Sequence, residues 1–250
     1  MSGRPGLLDR LIARANPRWD AGVWPPPRAI ADGLLSIERR IVLPGGFGIP
    51  TRSLVVRGSD GALVVISPLP DDEARRDVAA LGPVAHLVAP NSFHHLGISS
   101  WAAAHPRAQR WLAPGLAARR PELPRGQELS EGAETPFSDV LPHTLLALHR
   151  GVSEVSFLHR PSRTLILTDA CFHILEAKRR DRLGWRLLGV WKRFGPSLTA
   201  RTLLLRDRAR VADWLERVCR WDFGRIVVAH GEVLERASAA ALREAFGAYK

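Results

Sequence analysis

Three apolar runs in this chain each end in a side chain of metal-ligand type, and that repetition narrows the folds it can adopt. The first is His86-Leu87-Val88-Ala89, followed by Pro90-Asn91-Ser92-Phe93-His94-His95-Leu96-Gly97. The second, Thr164-Leu165-Ile166-Leu167-Thr168, ends in Asp169, and the third, Ile226-Val227-Val228-Ala229, ends in His230-Gly231. Short unbroken apolar runs bounded by turn residues read as strands buried on both faces. In α/β folds, polar side chains just past the carboxyl ends of such strands face the crevice where ligands bind.

The rest of the sequence supplies partners for those strands. Leu34–Val42 mixes apolar and polar positions as a half-buried strand does, and Pro44–Pro50 reads as a loop. Thr51–Arg57 and Ala62–Ser67 are strands joined by the turn Gly58-Ser59-Asp60-Gly61. Asp71–Leu81 reads as a helix with Asp71, Asp72 and Glu73 in its first turn, where they suit the helix dipole. Further on come a helix at Ser99–Ala104, strands at Ala108–Leu112, Thr144–Leu148 and Glu154–His159, and helices at Ala209–Arg220 and Ser238–Tyr249. Strands in the middle with helices before, between and after them predict an α/β sandwich. Residues 1–32 read as an appendage. Leu7, Leu8, Leu11 and Ile12 have helical spacing, Asn16-Pro17 stops that helix, and Trp24-Pro25-Pro26-Pro27 forms an extended arm. Residues 33–250 then form one domain.

Composition excludes several classes. No apolar run approaches the roughly 18 residues of a membrane span. Met1–Asp20 carries Arg4, Asp9, Arg10 and Arg14 and reads as no secretory signal. The only cysteines, Cys171 and Cys219, are far apart, so reduced thiols in a cytoplasmic protein are expected. The net charge is +11, and with three lysines, 33 of the 36 cations are arginine. These arginines are dispersed, as a GC-rich coding sequence would give, and lack the clustering of a nucleic-acid stripe. No nucleotide-binding glycine loop or nucleophile elbow is present. One segment is ambiguous. Leu183, Leu187, Val190 and Phe194 share a helical face ringed by Arg182, Arg186, Lys192 and Arg193. It reads either as a packing helix or, over 183–194, as a peripheral membrane contact.

Taken in order, Pro90-Asn91-Ser92-Phe93-His94-His95, Ser162–Asp169 and Ala229-His230-Gly231 resemble the metallo-β-lactamase superfold, an αββα sandwich whose strand-end loops carry metal ligands. More closely, they are similar to an uncharacterised bacterial family of that fold, a domain of unknown function, over residues 33 to 250. Against the superfold's first motif, His-x-His-x-Asp-His, His95 matches the last His and His94 falls on the Asp. Pro90 and Ser92 fall on the two leading His positions, and neither brings an imidazole. The resemblance thus implies that a first metal site is lost. A second is kept as His94, His95, Asp169 and His230, suited to one zinc, iron or manganese. Four protein ligands also describe a structural zinc.

Further candidates are His149, Glu154 at the head of its strand, and His173 four residues past Asp169, with Asn91 and Ser92 orienting the paired histidines. His86, His105, His143 and His159 are assigned to surface or core. Two functions follow. One is a mononuclear metal-dependent hydrolase of an ester, thioester, amide or phosphoester, taking a small-molecule substrate. The other is a non-catalytic domain of the same fold that binds a ligand, a partner or a membrane surface.

Overall fold

The structure, a computed structural model, describes residues 18–20, 24–148, 151 and 153–247. The expected N-terminal helix around Leu7–Ile12 and the candidate His149 lie outside the described residues.

One sheet contains β1 (Arg18–Trp19), β2 (Arg28–Ala31), β3 (Leu34–Val42), β4 (Gly48–Arg57), β5 (Leu63–Ile66), β6 (Val84–Ala89), β7 (Gln109–Leu112) and β8 (Gln127–Glu128). β3, β4 and β5 form an antiparallel meander, and β5, β6 and β7 then run parallel. Parallel neighbours need crossovers. Helix α1 (Asp72–Leu81) supplies the first and α2 (Ile98–Ala104) the second; α3 (Leu116–Arg119) follows β7. The second sheet begins with β9 (His143–Ala147), β10 (Ser153–His159) and β11 (Thr164–Leu167). A small ribbon of β12 (Phe172–His173) and β13 (Phe194–Gly195) interrupts it, enclosing α4 (Arg182–Leu187). After α5 (Arg208–Cys219), β14 (Arg225–Val228) returns parallel to β11, and β15 (Leu234–Glu235) and α6 (Ala239–Ala245) close the domain.

The layers follow from side-chain alternation. Val64, Ile66 and Val88 point inward and meet Val155, Phe157, Ile166 and Val227 of the second sheet. Their neighbours Leu63, Val65, Leu87 and Ala89 point outward onto Val78 of α1 and Trp101 of α2. On the other side Leu165, Leu167, Ile226 and Val228 face Val211, Trp214, Leu215 and Val218 of α5, spaced at i, i+3, i+4 and i+7. Hence the strands are apolar on both faces, and the sandwich is αββα. Trp214 is fully buried, and its indole N–H donates to Ser156 Oγ at 3.1 Å. Truncating such a side chain to Ala typically costs about 3–5 kcal/mol.

Three stretches differ from their sequence reading. Arg18–Trp19 and Arg28–Ala31, read as part of an appendage, pair with β3 in the first sheet. Residues 183–194 do not form one amphipathic helix, because α4 ends at Leu187. Val190 is buried, Phe194 sits in β13, and Ile174 pairs with Trp191. Ala200–Leu204 forms a π-helical turn with no counterpart in the sequence reading. Among the described residues, no helix is long and apolar enough to cross a membrane. Cys171 and Cys219 are unpaired.

Buried histidines predict acid sensitivity. Burial holds the imidazoles of His86, His105 and His159 below their ordinary value. His86 Nδ1 accepts from Trp111 Nε1 at 3.2 Å, a bond that protonation at that nitrogen removes. The folded chain therefore binds fewer protons than the unfolded one. Stability is full above the unfolded value of about 6.5 and is lost as pH falls through the lowered folded values. Thermal unfolding should show a lower midpoint at pH 5 than at pH 7.5, and His86→Gln should narrow the difference.

Candidate metal centre

Three strand ends deliver three ligand-type side chains to one point between the sheets. His94 lies on the loop after β6, Asp169 two residues past β11, and His230 two residues past β14. Among the described residues these form the group of His, Cys, Asp or Glu side chains whose ligand atoms all fall within 4.8 Å of one another. His94 Nε2 is 3.2 Å from His230 Nε2 and 3.5 Å from Asp169 Oδ2, and His230 Nε2 is 3.1 Å from Asp169 Oδ1. Bonds of about 2.0–2.1 Å in tetrahedral array would set ligand atoms roughly 3.3–3.4 Å apart. The spacing fits a single small cation.

The donor chemistry fits as well. His230 Nδ1 is 2.7 Å from the Pro50 carbonyl, an acceptor, so Nδ1 carries the proton. In neutral His230, Nε2 then aims a lone pair at the carboxylate. Two acceptors at that distance need a cation between them, either a second proton or a metal. His94 Nδ1 is bonded to Ser67 Oγ at 2.6 Å, and Phe172 stacks on the His230 ring at 4.9 Å between centroids. Burial alone would raise the Asp169 pKa. The neighbouring His94 and His230 outweigh it and hold the carboxyl well below the usual carboxylate range.

Glu154 and Asn91 aim Asp169 without joining the cluster. Glu154 is fully buried and accepts from the amides of Thr168 (2.8 Å) and Ala170 (2.9 Å), on either side of Asp169. Burial, and then the charge of Asp169, push its own pKa up to about 7. Asn91 Nδ2 donates to Asp169 Oδ2 at 2.8 Å, and Asn91 Oδ1 accepts from the amides of Phe93 (2.8 Å) and His94 (2.9 Å). One side chain thus ties two ligand loops together. Asn91→Ala should leave the fold intact and weaken metal binding about 10–100-fold, checked by competition with a chelating dye.

Other sequence candidates fall elsewhere. His95 turns away from its neighbour, its Nδ1 3.4 Å from the Phe93 carbonyl. It does not belong to the ligand group, because successive side chains on this loop diverge. His173 Nδ1 donates to the Glu232 carbonyl (3.0 Å), so its ring serves the β14 loop. Glu154 is not among the three ligand residues. Ser92 Oγ is buried without a hydrogen-bond partner and orients neither histidine.

Two contributors, Ser67 and Arg52, had no sequence signal. Ser67 holds a left-handed backbone at φ 55°, a strained conformation for a residue with a Cβ, and reaches His94 from there. Arg52, buried between the sheets, donates to the carbonyls of Val228 and Gly231 on either side of His230. Gly231 has φ 102°, and a Cβ there would lie 2.1 Å from the His173 carbonyl oxygen. Only glycine lets the loop turn so tightly after His230.

A family model described as a domain of unknown function, DUF4336, matches residues 41–180, more than half of the chain. The chain belongs to the DUF4336 family. Solved structures place this DUF4336 member in the metallo-β-lactamase fold. The metallo-β-lactamase DIM-1 superposes with a TM-score of 0.63 at 12% identity, covering 92% of this chain and 100% of that one. FIM-1 from Pseudomonas aeruginosa in its mono-zinc form gives 0.58 at 13% identity, covering 91% and 97%. The flavodiiron core of Flv1 from Synechocystis sp. PCC6803, metal soaked, gives 0.58 at 10% identity, covering 90% and 60%. No curated protein sequence matches the chain.

Proposed function

We propose that the protein is a hydrolase dependent on one transition metal held by His94, Asp169 and His230, acting on a neutral, apolar ester or thioester. The observation that carries this is the setting of the three ligand residues. They border a cavity of about 330 Å³ walled by Phe47, Phe93, Phe172, Trp185, Leu188 and Leu204. Two imidazoles and one carboxylate are a catalytic rather than a structural zinc set, because a coordination position stays open. The same set suits iron or manganese. FIM-1, of the same fold, is described with a single zinc.

Charge narrows the substrate. Among the described lining residues there is no lysine or arginine, and Asp169 is the one carboxylate. A phosphoester entering there would meet no cation of the protein, whereas an uncharged acyl group would gain apolar contact. When bound, a metal supplies Lewis acidity, polarising a carbonyl oxygen and drawing a water's pKa towards neutrality. The chain supplies the rest. Asn91 keeps Asp169 oriented, Pro50 keeps the proton of His230 on Nδ1, and the aromatic walls exclude bulk water, which strengthens every charge inside.

The test uses metal-loaded protein with p-nitrophenyl esters of increasing acyl length and with p-nitrophenyl phosphate. Metal-dependent ester hydrolysis is expected, with kcat/KM rising up to about fourfold per added methylene until the cavity is filled. The phosphate should not react. Fully loaded protein that turns over no neutral ester would refute the proposal.

A further inference from the structure

The large apolar side chains that the described residues expose are Leu96, Leu175, Leu183, Leu187, Leu198 and Leu203, five of them within residues 175–203. Leu96 itself lines the cavity. Leu187, Leu198 and Leu203 each precede a lining residue, namely Leu188, Thr199 and Leu204. The Leu198 amide donates to the Leu188 carbonyl at 2.8 Å, which joins the end of α4 to the π-helical turn. Leu96 thus lies in the cavity wall, and Leu187, Leu198 and Leu203 adjoin wall residues in sequence. Leu183 and Leu187 are 65% and 69% exposed, an unfavourable arrangement for a surface that only ever meets water.

Cations crowd the segment that carries Leu175, Leu183 and Leu187, four of them lining a second pocket with Trp191. Over residues 175–193, Lys178, Arg179, Arg180, Arg182, Arg186, Lys192 and Arg193 are exposed, against one exposed acid, Glu176. The other acid, Asp181, is buried and bonded to Arg40 and to the Gly48 amide. Arg179, Arg186, Lys192 and Arg193 have no ion-pair partner among the described residues. Arg182 and Lys192 flank the half-buried Trp191 ring at 5.9 Å and 6.0 Å.

We infer that this face docks on an anionic lipid bilayer, with the leucines in the interface and the cations among the headgroup phosphates. Exposed leucines beside an interfacial tryptophan and a dense set of unpaired cations are the signature of surface binding. Charge selects the occupant. A second copy docked symmetrically would bring the same cations face to face. Docking needs no metal, so it stands or fails apart from the hydrolytic proposal.

The experiment is flotation of the metal-free full chain with vesicles of phosphatidylglycerol and phosphatidylcholine, or of phosphatidylcholine alone. Binding is expected to the mixed vesicles, to weaken sharply between about 0.05 M and 0.5 M salt, and to be weak on the neutral ones. The combined variant Arg186→Glu, Lys192→Glu, Arg193→Glu should bind about a hundredfold or more weaker. The variant Leu183→Ser, Leu187→Ser, Leu198→Ser should also bind more weakly, with both retaining the wild-type circular dichroism and Tm. No binding by the wild type, or binding indifferent to both variants, overturns the inference. So does sedimentation showing that the leucine variant turns a dimer into a monomer, which would assign these leucines to a second copy.

Discussion

His230→Ala should abolish specific binding of zinc, iron or manganese, while His95→Ala should leave it nearly unchanged. The wild type should hold about one ion per chain after metal-replete expression, read by elemental analysis. The contrast arises because His230 Nε2 lies 3.1 Å from Asp169 Oδ1 and 3.2 Å from His94 Nε2, whereas the His95 ring faces elsewhere. With zinc at about a hundred times its dissociation constant, binding adds roughly 2.7 kcal/mol to stability. At about 2–4 °C per kcal/mol for a chain of this size, that raises Tm by roughly 5–11 °C. His230→Ala should lose this rise entirely. Because the alanine also forfeits the Pro50 hydrogen bond and the Phe172 stack, His230→Gln provides a second variant. Wild-type protein without metal after loading would show that a proton, not a metal, occupies the cluster; equal losses in His95→Ala and His230→Ala would count against the three-residue site.

The strands were legible because each must be apolar on two faces. Leu165-Ile166-Leu167 and Ile226-Val227-Val228 show no alternation, and both end at a polar residue that the fold carries to the sheet edge. The direction of His95 was not legible, since adjacent loop residues can converge or diverge and only the Asn91 turn decides. Residues 183–194 misread as a helix because leucines at helical spacing say nothing of tertiary pairing. There the pairing of Ile174 with Trp191 and of β12 with β13 overrides the local pattern. Arg52 had no signal at all. An arginine in a strand reads as solvent-facing, and the carbonyls that make its burial tolerable come from residues more than 170 positions away.

Arg52→Met should destabilise the metal-free protein by about 3 kcal/mol or more, with a fall in Tm of roughly 6–12 °C. Arg52 is 4% exposed and donates from Nε to Ser36 Oγ at 2.9 Å, from Nη2 to Glu38 Oε1 at 3.0 Å and to the Gly231 carbonyl at 2.8 Å, and from Nη1 to the Val228 carbonyl. Methionine keeps most of the side chain's bulk but no donor. Ser36 keeps its bond to Glu38, but the buried Val228 carbonyl and the half-buried Gly231 carbonyl lose this partner, each at about 1–3 kcal/mol. The ion pair with Glu38 contributes less, because that carboxylate is partly solvated. Arg52→Lys should be intermediate, since an ammonium cannot span the fork of acceptors. Denaturant unfolding of metal-free protein isolates the effect from metal linkage. In a separate titration the same variant should bind zinc more weakly, because the two freed carbonyls bracket His230. A variant as stable as the wild type, with unaltered zinc affinity, would show that the second sheet holds His230 in place without Arg52.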